Sequence, residues 1–280
     1  MNFDHLKDKV CVITGGGGVL GTSMARTLAS VGVKVAILDR NLDSAQKVAD
    51  SLTSGFGTEA LGLVADVLKK DTLVAVKKQI NDKWGRIDLL INAAGGNSPK
   101  ATTKVEQMDP DSIDAMSESF YGLQLEGFQH VFDLNFMGTL LPTMVFTTDM
   151  VENRKGNILN ISSMNAIKPL TKIPAYSAAK SSINNFTEWL AVHLGKTGIR
   201  VNAIAPGFFL TNQNRFLLTD EKTGKLTPRG QKIIDATPMG KFGQPSDLSG
   251  TMLFLLSDLS DFITGIVIPV DGGFSAFGRV

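Results

Sequence analysis

Cysteine is almost absent from this 280-residue chain. Cys11 stands alone, so no internal disulfide can form, and a reducing cytoplasm is the expected compartment. A surplus of either charge is missing too. The formal net charge is +1 and charged residues make up 20%, with no long run of one sign. Nucleic-acid proteins carry basic clusters because phosphate contacts supply most of their affinity, so a nucleic-acid partner is not expected. Long apolar runs are lacking. The stretch from Phe262 to Val270 falls well short of the roughly 18 residues that a membrane span needs, so no membrane partner is expected either. The first residues have no basic flank, continuous apolar region and small-residue cleavage site in series, which argues against a secretion signal. The three histidines, His5, His130 and His193, lie far apart, and Cys11 sits in an apolar run where it packs rather than ligates. No metal site is expected.

Apolar residues are plentiful, at 43%, which is ample for a buried core. They are arranged in short β-branched runs that alternate with helix-sized segments. The candidate strands are Lys9–Thr14, Lys34–Asp39, Ala60–Ala65, Ile87–Asn92, Gly156–Ser162, Ile199–Ala205 and Gly265–Val270. Between them lie candidate helices at Val19–Gly32, Leu42–Ser54, Lys69–Trp84, Gly127–Asn153, Pro174–Lys196 and Ser246–Ser257. Several strands are apolar almost throughout, as in a parallel sheet covered on both faces. The alternation predicts a single α/β domain over 1–280. Its expected form is a Rossmann-type, doubly wound parallel sheet with right-handed crossovers and helices on both faces. Two segments, 96–125 and 208–243, break the rhythm. Both follow the carboxyl ends of strands, where open α/β sheets place their ligand crevice, and are expected to enclose a substrate.

Gly16, Gly18 and Gly21 satisfy a G-x-G-x-x-G pattern directly between the first strand and the first helix. That position lets backbone approach a pyrophosphate, whose charge suits the N–H groups of a helix N-terminus. Asp39 closes the next strand 18 residues after Gly21. A carboxylate there accepts hydrogen bonds from an adenosine ribose and repels a 2′-phosphate, which points to NAD, while Arg40 beside it leaves NADP open. Tyr176 and Lys180 are four residues apart and therefore share a helix face. A phenol is a poor acid–base group near neutrality, and a neighbouring cation is expected to lower its pKa. Proton exchange with an alcohol or ketone requires that tuning.

With these residues in place, the chain resembles the short-chain dehydrogenase/reductase family along essentially its whole length. The motifs occur in order: Thr14-Gly15 to Gly21, Ala65-Asp66-Val67, Asn92-Ala93-Ala94-Gly95, Asn135 in Leu-Asn-Phe-Met-Gly, Ile161-Ser162-Ser163, Tyr176 with Lys180, Arg200 to Gly207, and Asp271-Gly272-Gly273. One position departs: Val19 stands where the family's T-G-x-x-x-G-x-G pattern has glycine. The resemblance implies hydride transfer between a nicotinamide cofactor and a carbonyl or alcohol. It implies Tyr176 as general acid/base, Lys180 lowering its pKa and binding the nicotinamide ribose, Ser163 holding the reacting oxygen, and Asn135 supporting a water-linked proton path. Cofactor contacts would come from Gly15, Gly18, Val19, Leu20, Asp39 and Arg40, with Asp66 and Val67 at the adenine. Asn92, Ala93 and Gly95 would lie on the ribose side, and Pro206, Gly207, Phe209 and Thr211 over the nicotinamide.

Within that family the chain is similar to the D-mannonate oxidoreductase (fructuronate reductase) group. The likeness rests on residues 15–21, 95–103, 132–136, 162–166, 169–176 and 205–211. It implies NAD-linked interconversion of D-fructuronate and D-mannonate. A sugar acid needs one cation and several hydrogen-bonding groups, and Asn97, Lys100, Asn165, Lys172, Asn212, Gln213 and Arg215 fall on segments expected at the crevice. Lys172 or Arg215 is the expected carboxylate clamp. Reductases of other keto sugar acids, such as 5-ketogluconate, would share every catalytic residue. A methyltransferase has no need of Ser163, Tyr176 and Lys180 together, and a redox-silent NAD sensor commonly loses the tyrosine or lysine. The resemblance further implies pairing through the two long helices as a homotetramer or homodimer.

Overall fold

The computed structural model describes residues 3–111, 113–211, 215–220 and 223–278. Chain order runs β1 (Val10–Thr14), α1 (Val19–Ser30), β2 (Lys34–Asp39), α2 (Leu42–Phe56), β3 (Ala60–Val64), α3 (Lys70–Trp84) and β4 (Leu89–Asn92). It continues through α4 (Leu125–Phe132), α5 (Gly138–Phe146), α6 (Thr148–Asn153), β5 (Gly156–Ile161), α7 (Pro174–Leu194) and β6 (Ile199–Pro206). Last come α8 (Arg215–Leu218), α9 (Pro228–Asp235), α10 (Ser249–Leu256) and β7 (Val267–Val270). The strands form one seven-stranded sheet in the order β3-β2-β1-β4-β5-β6-β7, and every pair is parallel. Strand order reverses between β1 and β4, the switch point at which such sheets open a crevice.

Strand alternation divides the core in two. Cys11 and Ile13 of β1 face one apolar cluster with Met24 and Leu28 of α1, whereas Val10 and Val12 face the other with Phe146 of α5 and Ile80 of α3. All of β1 and β6 is buried, as their unbroken apolar runs require of central strands. Edge strand β3 is only half-buried.

The single helix expected over Gly127–Asn153 is divided. Between α4 and α5 the backbone widens into a π-type turn at Asp133–Met137, and Pro142 lies inside α5. Proline cannot donate to the carbonyl of residue 138, so regular bonding is lost just where the turn widens. Segment 96–125 holds short 3₁₀ turns at Pro99–Ala101, Ile113–Glu118 and Phe120–Gly122, and segment 208–243 contains α8 and α9. On α7, Trp189 and Val192 are exposed, beside an open cavity of about 550 Å³ that Phe136 and Phe186 also line. No helix among the described residues is long and apolar enough to cross a membrane.

Candidate active site

The turn from β1 into α1 is held by backbone that leaves no room for side chains. Gly15 has φ +63°, and a Cβ there would lie 2.8 Å from the Ala94 Cα. A Cβ on Gly21 would lie 2.5 Å from the Gly15 carbonyl oxygen. Thr14 ties this turn to the next loop, its Oγ1 accepting from the amides of Ala93 and Ala94 at 3.1 and 3.2 Å. The first bond within α1 runs from the Thr22 amide to the Gly18 carbonyl. The N–H groups of Val19, Leu20 and Gly21 therefore point out of the helix start, where an anion binds. Val19 is the first helical residue, after Gly18 at φ −75°. Its backbone is ordinary helix, so the family's glycine is not needed at that position.

Asp39 closes β2 beside this turn. Its Oδ1 accepts from the Asn41 amide at 3.1 Å, and its Oδ2 lies 2.9 Å from where a Gly17 Cβ would sit. Arg40 is exposed. A carboxylate against bare backbone, next to a helix start, fits the ribose and pyrophosphate of a dinucleotide. If Gly21 is replaced by alanine, the new methyl meets backbone that cannot swing aside, and overpacking of this kind costs ~1–3 kcal/mol. A fall of ~5 °C in melting temperature is expected for Gly21→Ala. Gly18→Ala, whose Cβ meets nothing nearer than 3.3 Å, should change it little. Equal melting temperatures for the two variants would contradict the packing argument.

Further along the crevice, Asp66 Oδ1 accepts from the Leu68 amide, and the buried Val67 packs under Gly138. Gly207 donates to the Val270 carbonyl and lies tight on Asp271, after Pro206 at the end of β6. One expected cofactor contact is redirected. Asn92 does not turn its amide to a ribose: its Nδ2 donates to Thr143 Oγ1 and Asn160 Oδ1, both at 2.9 Å, inside the core. Asn160 is its register partner on β5, and Asn160 Nδ2 in turn donates to Thr187 Oγ1, while Asn92 Oδ1 is buried without a protein partner. Phe209 is 5% exposed; its ring packs on Gly243 and lines a cavity with Phe208, Thr237 and Asp271. Thr211 caps the described part of that loop, its carbonyl accepting from the Arg215 amide. Asn212 and Gln213 lie outside the described residues.

The proton-handling residues converge from three elements. Ser163 follows β5, Tyr176 and Lys180 lie on the first turns of α7, and Asn135 sits in the π-type turn. The Ser163 hydroxyl lies close enough to the Tyr176 phenol to favour its charged form. Lys180 is buried; its Nζ donates to the Ile161 carbonyl at 2.7 Å and stands 5.7 Å from the centre of the Tyr176 ring. Asn135, fully buried, donates from Nδ2 to the carbonyls of Gly96 and Val131 and accepts from the Gly96 amide. Its side chain thus clamps the 95–96 backbone. A Cβ on Gly95 would fall 2.7 Å from Asn135 Oδ1 and 3.2 Å from Lys180 Nζ, so only glycine fits between them.

The pKa directions correct one expectation. Burial pushes the Tyr176 phenol above its ordinary value, and the Ser163 hydroxyl opposes this only in part. Burial also pushes Lys180 down to about 7. With its own charge disfavoured, Lys180 does not pull the phenol below its usual range in the free chain. Burial disfavours the charged form of each group and is the largest cause of both shifts.

The residues expected at the substrate are distributed around this centre. Asn165 is 6% exposed and next to Ser163, with its amide hydrogen-bonded to the Ser163 hydroxyl and its Oδ1 buried without a protein partner. Asn97 Nδ2 donates to Thr102 Oγ1. Lys172 Nζ donates to the Lys104 carbonyl at 2.6 Å, which staples the 96–125 segment to the start of α7. Arg215 and Lys100 are exposed. Unforeseen from the sequence were Thr14, the Asn160–Thr187 pair and an ion pair from Glu106 to Lys232. Only Thr14, adjoining the glycine run, carried a local signal.

Comparison with known proteins was made on this basis. A family model described as enoyl-(acyl carrier protein) reductase, a branch of the short-chain dehydrogenases, matches residues 18–275. An uncharacterized oxidoreductase of Haemophilus influenzae is 48% identical over 277 residues, covering 99% of this chain and 96% of that protein. A Bacillus subtilis protein called uncharacterized oxidoreductase UxuB is 49% identical over 278 residues, covering 99% and 98%. A crystal structure with bound NAD, of a proposed D-mannonate oxidoreductase from Haemophilus influenza, superposes with a TM-score of 0.92 at 48% identity, covering 98% of each chain.

Proposed function

Because the chain belongs to the short-chain dehydrogenase/reductase family, we propose that it is an NAD-dependent oxidoreductase interconverting D-fructuronate and D-mannonate. The observation that carries the redox chemistry is the convergence of Tyr176, Ser163 and Lys180 beside a dinucleotide-shaped crevice. Asp39 against Gly17 supports NAD over NADP, as does the NAD in the Haemophilus structure. Support for the substrate comes from that same similarity and from the buried, unpartnered amide of Asn165 beside Ser163.

The cofactor, when bound, supplies the hydride. The protein's part is to hold and protonate the ketone. The Ser163 and Tyr176 hydroxyls lie on the same side of the crevice, near enough for Ser163 to act on the phenol, so one ketone oxygen can be held by both. Burial keeps Tyr176 protonated at neutral pH, which is the form that donates as negative charge develops on that oxygen. Lys180 is fixed by the Ile161 carbonyl, behind Tyr176 and beside Gly95, where ribose hydroxyls would arrive. Asn135 acts on the chemistry by clamping the backbone at 95–96. The exposed aromatic face of α7 supports a homo-oligomer.

The test is initial-rate oxidation of NADH, and separately of NADPH, with D-fructuronate, D-tagaturonate and 5-keto-D-gluconate. Rapid NADH oxidation with D-fructuronate is the expected result. Turnover of either other acid alone would reassign the substrate, and a preference for NADPH would remove Asp39 as the selector.

A further inference from the structure

Glu106, in the 96–125 segment, is surrounded by cations from two other elements. Its carboxylate oxygens lie 3.1 and 3.2 Å from Lys232 Nζ on α9, and Lys172 and Arg229 are near enough to add to the field on it. Glu106 and Lys232 are 126 residues apart, so this is a bridge between the two segments that flank the crevice. Both ends of the bridge are anchored at the catalytic centre. Ala236, one turn beyond Lys232, packs with Met164, the residue after Ser163, and with Phe208. On the other side, Lys172 precedes Tyr176 by four residues and binds the carbonyl of Lys104, two residues before Glu106. Ala101 of the same segment is fully buried in the small cluster on which the Tyr176 ring packs.

Lys232 Nζ already binds both oxygens of one protein carboxylate, with the charges of Lys172 and Arg229 adding to the field there, which makes the position suited to a carboxylate. In a six-carbon sugar acid that is reduced at the carbon four bonds from the acid group, the carboxylate lies roughly 5 Å from the reacting centre in an extended chain, since tetrahedral angles shorten four bonds of about 1.5 Å. The acid group therefore reaches out towards the rim and away from Tyr176. Of the two cations favoured from sequence, Lys172 has its ammonium on a backbone carbonyl, and Arg215 is exposed on α8. Lys232 is held only by Glu106 among the described contacts, and both side chains are more than half accessible or nearly so, at 68% and 50%. An exchange of one carboxylate for another there needs no rearrangement of the core.

We infer that Lys232, flanked by Arg229, is the binding point for the substrate carboxylate, and that Glu106 occupies it as an internal competitor until an acid substrate displaces it. This rests on the proposed sugar-acid chemistry and names the recognition site within it. Competition gives the two halves of the ion pair opposite effects. Lys232→Met removes the receptor and should weaken binding of D-mannonate to the NADH-loaded enzyme about 10-fold, the share of one charge-assisted hydrogen bond. Glu106→Gln removes the competitor and should tighten it.

Titration calorimetry of the full chain with NADH and D-mannonate measures both, with Lys78→Met, which breaks an exposed pair with Asp82 on α3, as the control without effect. Both lie on exposed side chains, and melting temperatures near that of the wild type would establish folding. If the pair is merely a structural tie, the two substitutions act in the same direction or not at all, which overturns the inference. If D-mannonate does not bind the wild type but 5-keto-D-gluconate or D-tagaturonate does, the proposed substrate falls, and the opposite signs are then sought with that acid. If none of these acids binds, sugar-acid recognition and the Lys232 site fall together.

Discussion

Replacing Tyr176 by phenylalanine should lower kcat for ketone reduction by about 10³-fold, while the dissociation constant for NADH changes by less than about threefold. The substitution removes one oxygen and keeps the ring. That ring packs among Ala101, Val131, Ala175 and Ala179, so the helix start and its neighbours keep their positions. What is lost is the phenol hydroxyl beside Ser163, the proposed proton donor. General acid catalysis by a positioned group contributes typically 10²–10⁴-fold. Ser163→Ala leaves the donor in place, and a smaller loss is expected from it. Steady-state rates paired with fluorescence titration of NADH give both quantities. Turnover of Tyr176→Phe within tenfold of the wild type would rule out the phenol as the acid. The raised phenol pKa also fixes a sign: the reduction rate holds through neutral pH and falls only as pH approaches and passes the usual tyrosine range.

The second large effect lies at Lys180. Lys180→Met should cost turnover heavily, by about 10²-fold, because the ammonium beside the phenol is removed. Its effect on the folded chain should run the other way and depend on pH. Burial lowers the Lys180 pKa from 10.5 to about 7, and no acidic side chain pairs with it among the described residues. Between pH 7 and 10.5 the unfolded chain therefore binds a proton at this site that the folded chain does not. The wild type accordingly gains stability as pH rises through that window, and carries the full cost of a buried charge below pH 7. A shift of this size corresponds to roughly 5 kcal/mol at most. Methionine also gives up the hydrogen bond to the Ile161 carbonyl, at about 1 kcal/mol, but that loss is independent of pH. The melting temperature of Lys180→Met relative to wild type should thus be highest near pH 6 and fall steadily to pH 10. A difference that stays flat with pH would mean that Lys180 is not desolvated in the free enzyme.

Much of this architecture is readable in the chain because the signals are local. The span expected for β2, Lys34–Asp39, is the span observed, and α1 and α3 begin within one residue of their expected starts. A buried parallel strand needs an unbroken β-branched run, and a helix following it needs its own period, so seven strands and their crossovers follow from neighbours in sequence. Gly15 and Gly21 are legible for the same reason, since a tight turn between strand and helix demands them within a few residues. Tyr176 and Lys180 share a face through the helical repeat alone.

The unexpected features are those for which the sequence offers no neighbour. Irregularity near Gly138 is expected from Pro142, but its form, a π-type turn at Asp133–Met137 dividing the helix, is not readable from the chain. Asn92 is expected at the cofactor ribose until β5 sets Asn160 opposite it and α5 brings Thr143. The direction of the Tyr176 pKa was beyond reach because a spacing of four shows that a cation is near but not that both groups are dry. The pairing of Glu106 with Lys232 joins surface charges from loops that each look like solvated chain. The sequence by itself determined the sheet, the glycine turn at its switch point and the shared helix face of Tyr176 and Lys180, because each follows from periodicity or from residues a turn apart. Only the tertiary structure decided how buried those groups are and which distant charges meet across the crevice, because solvation and long-range electrostatics depend on every element packed around a site.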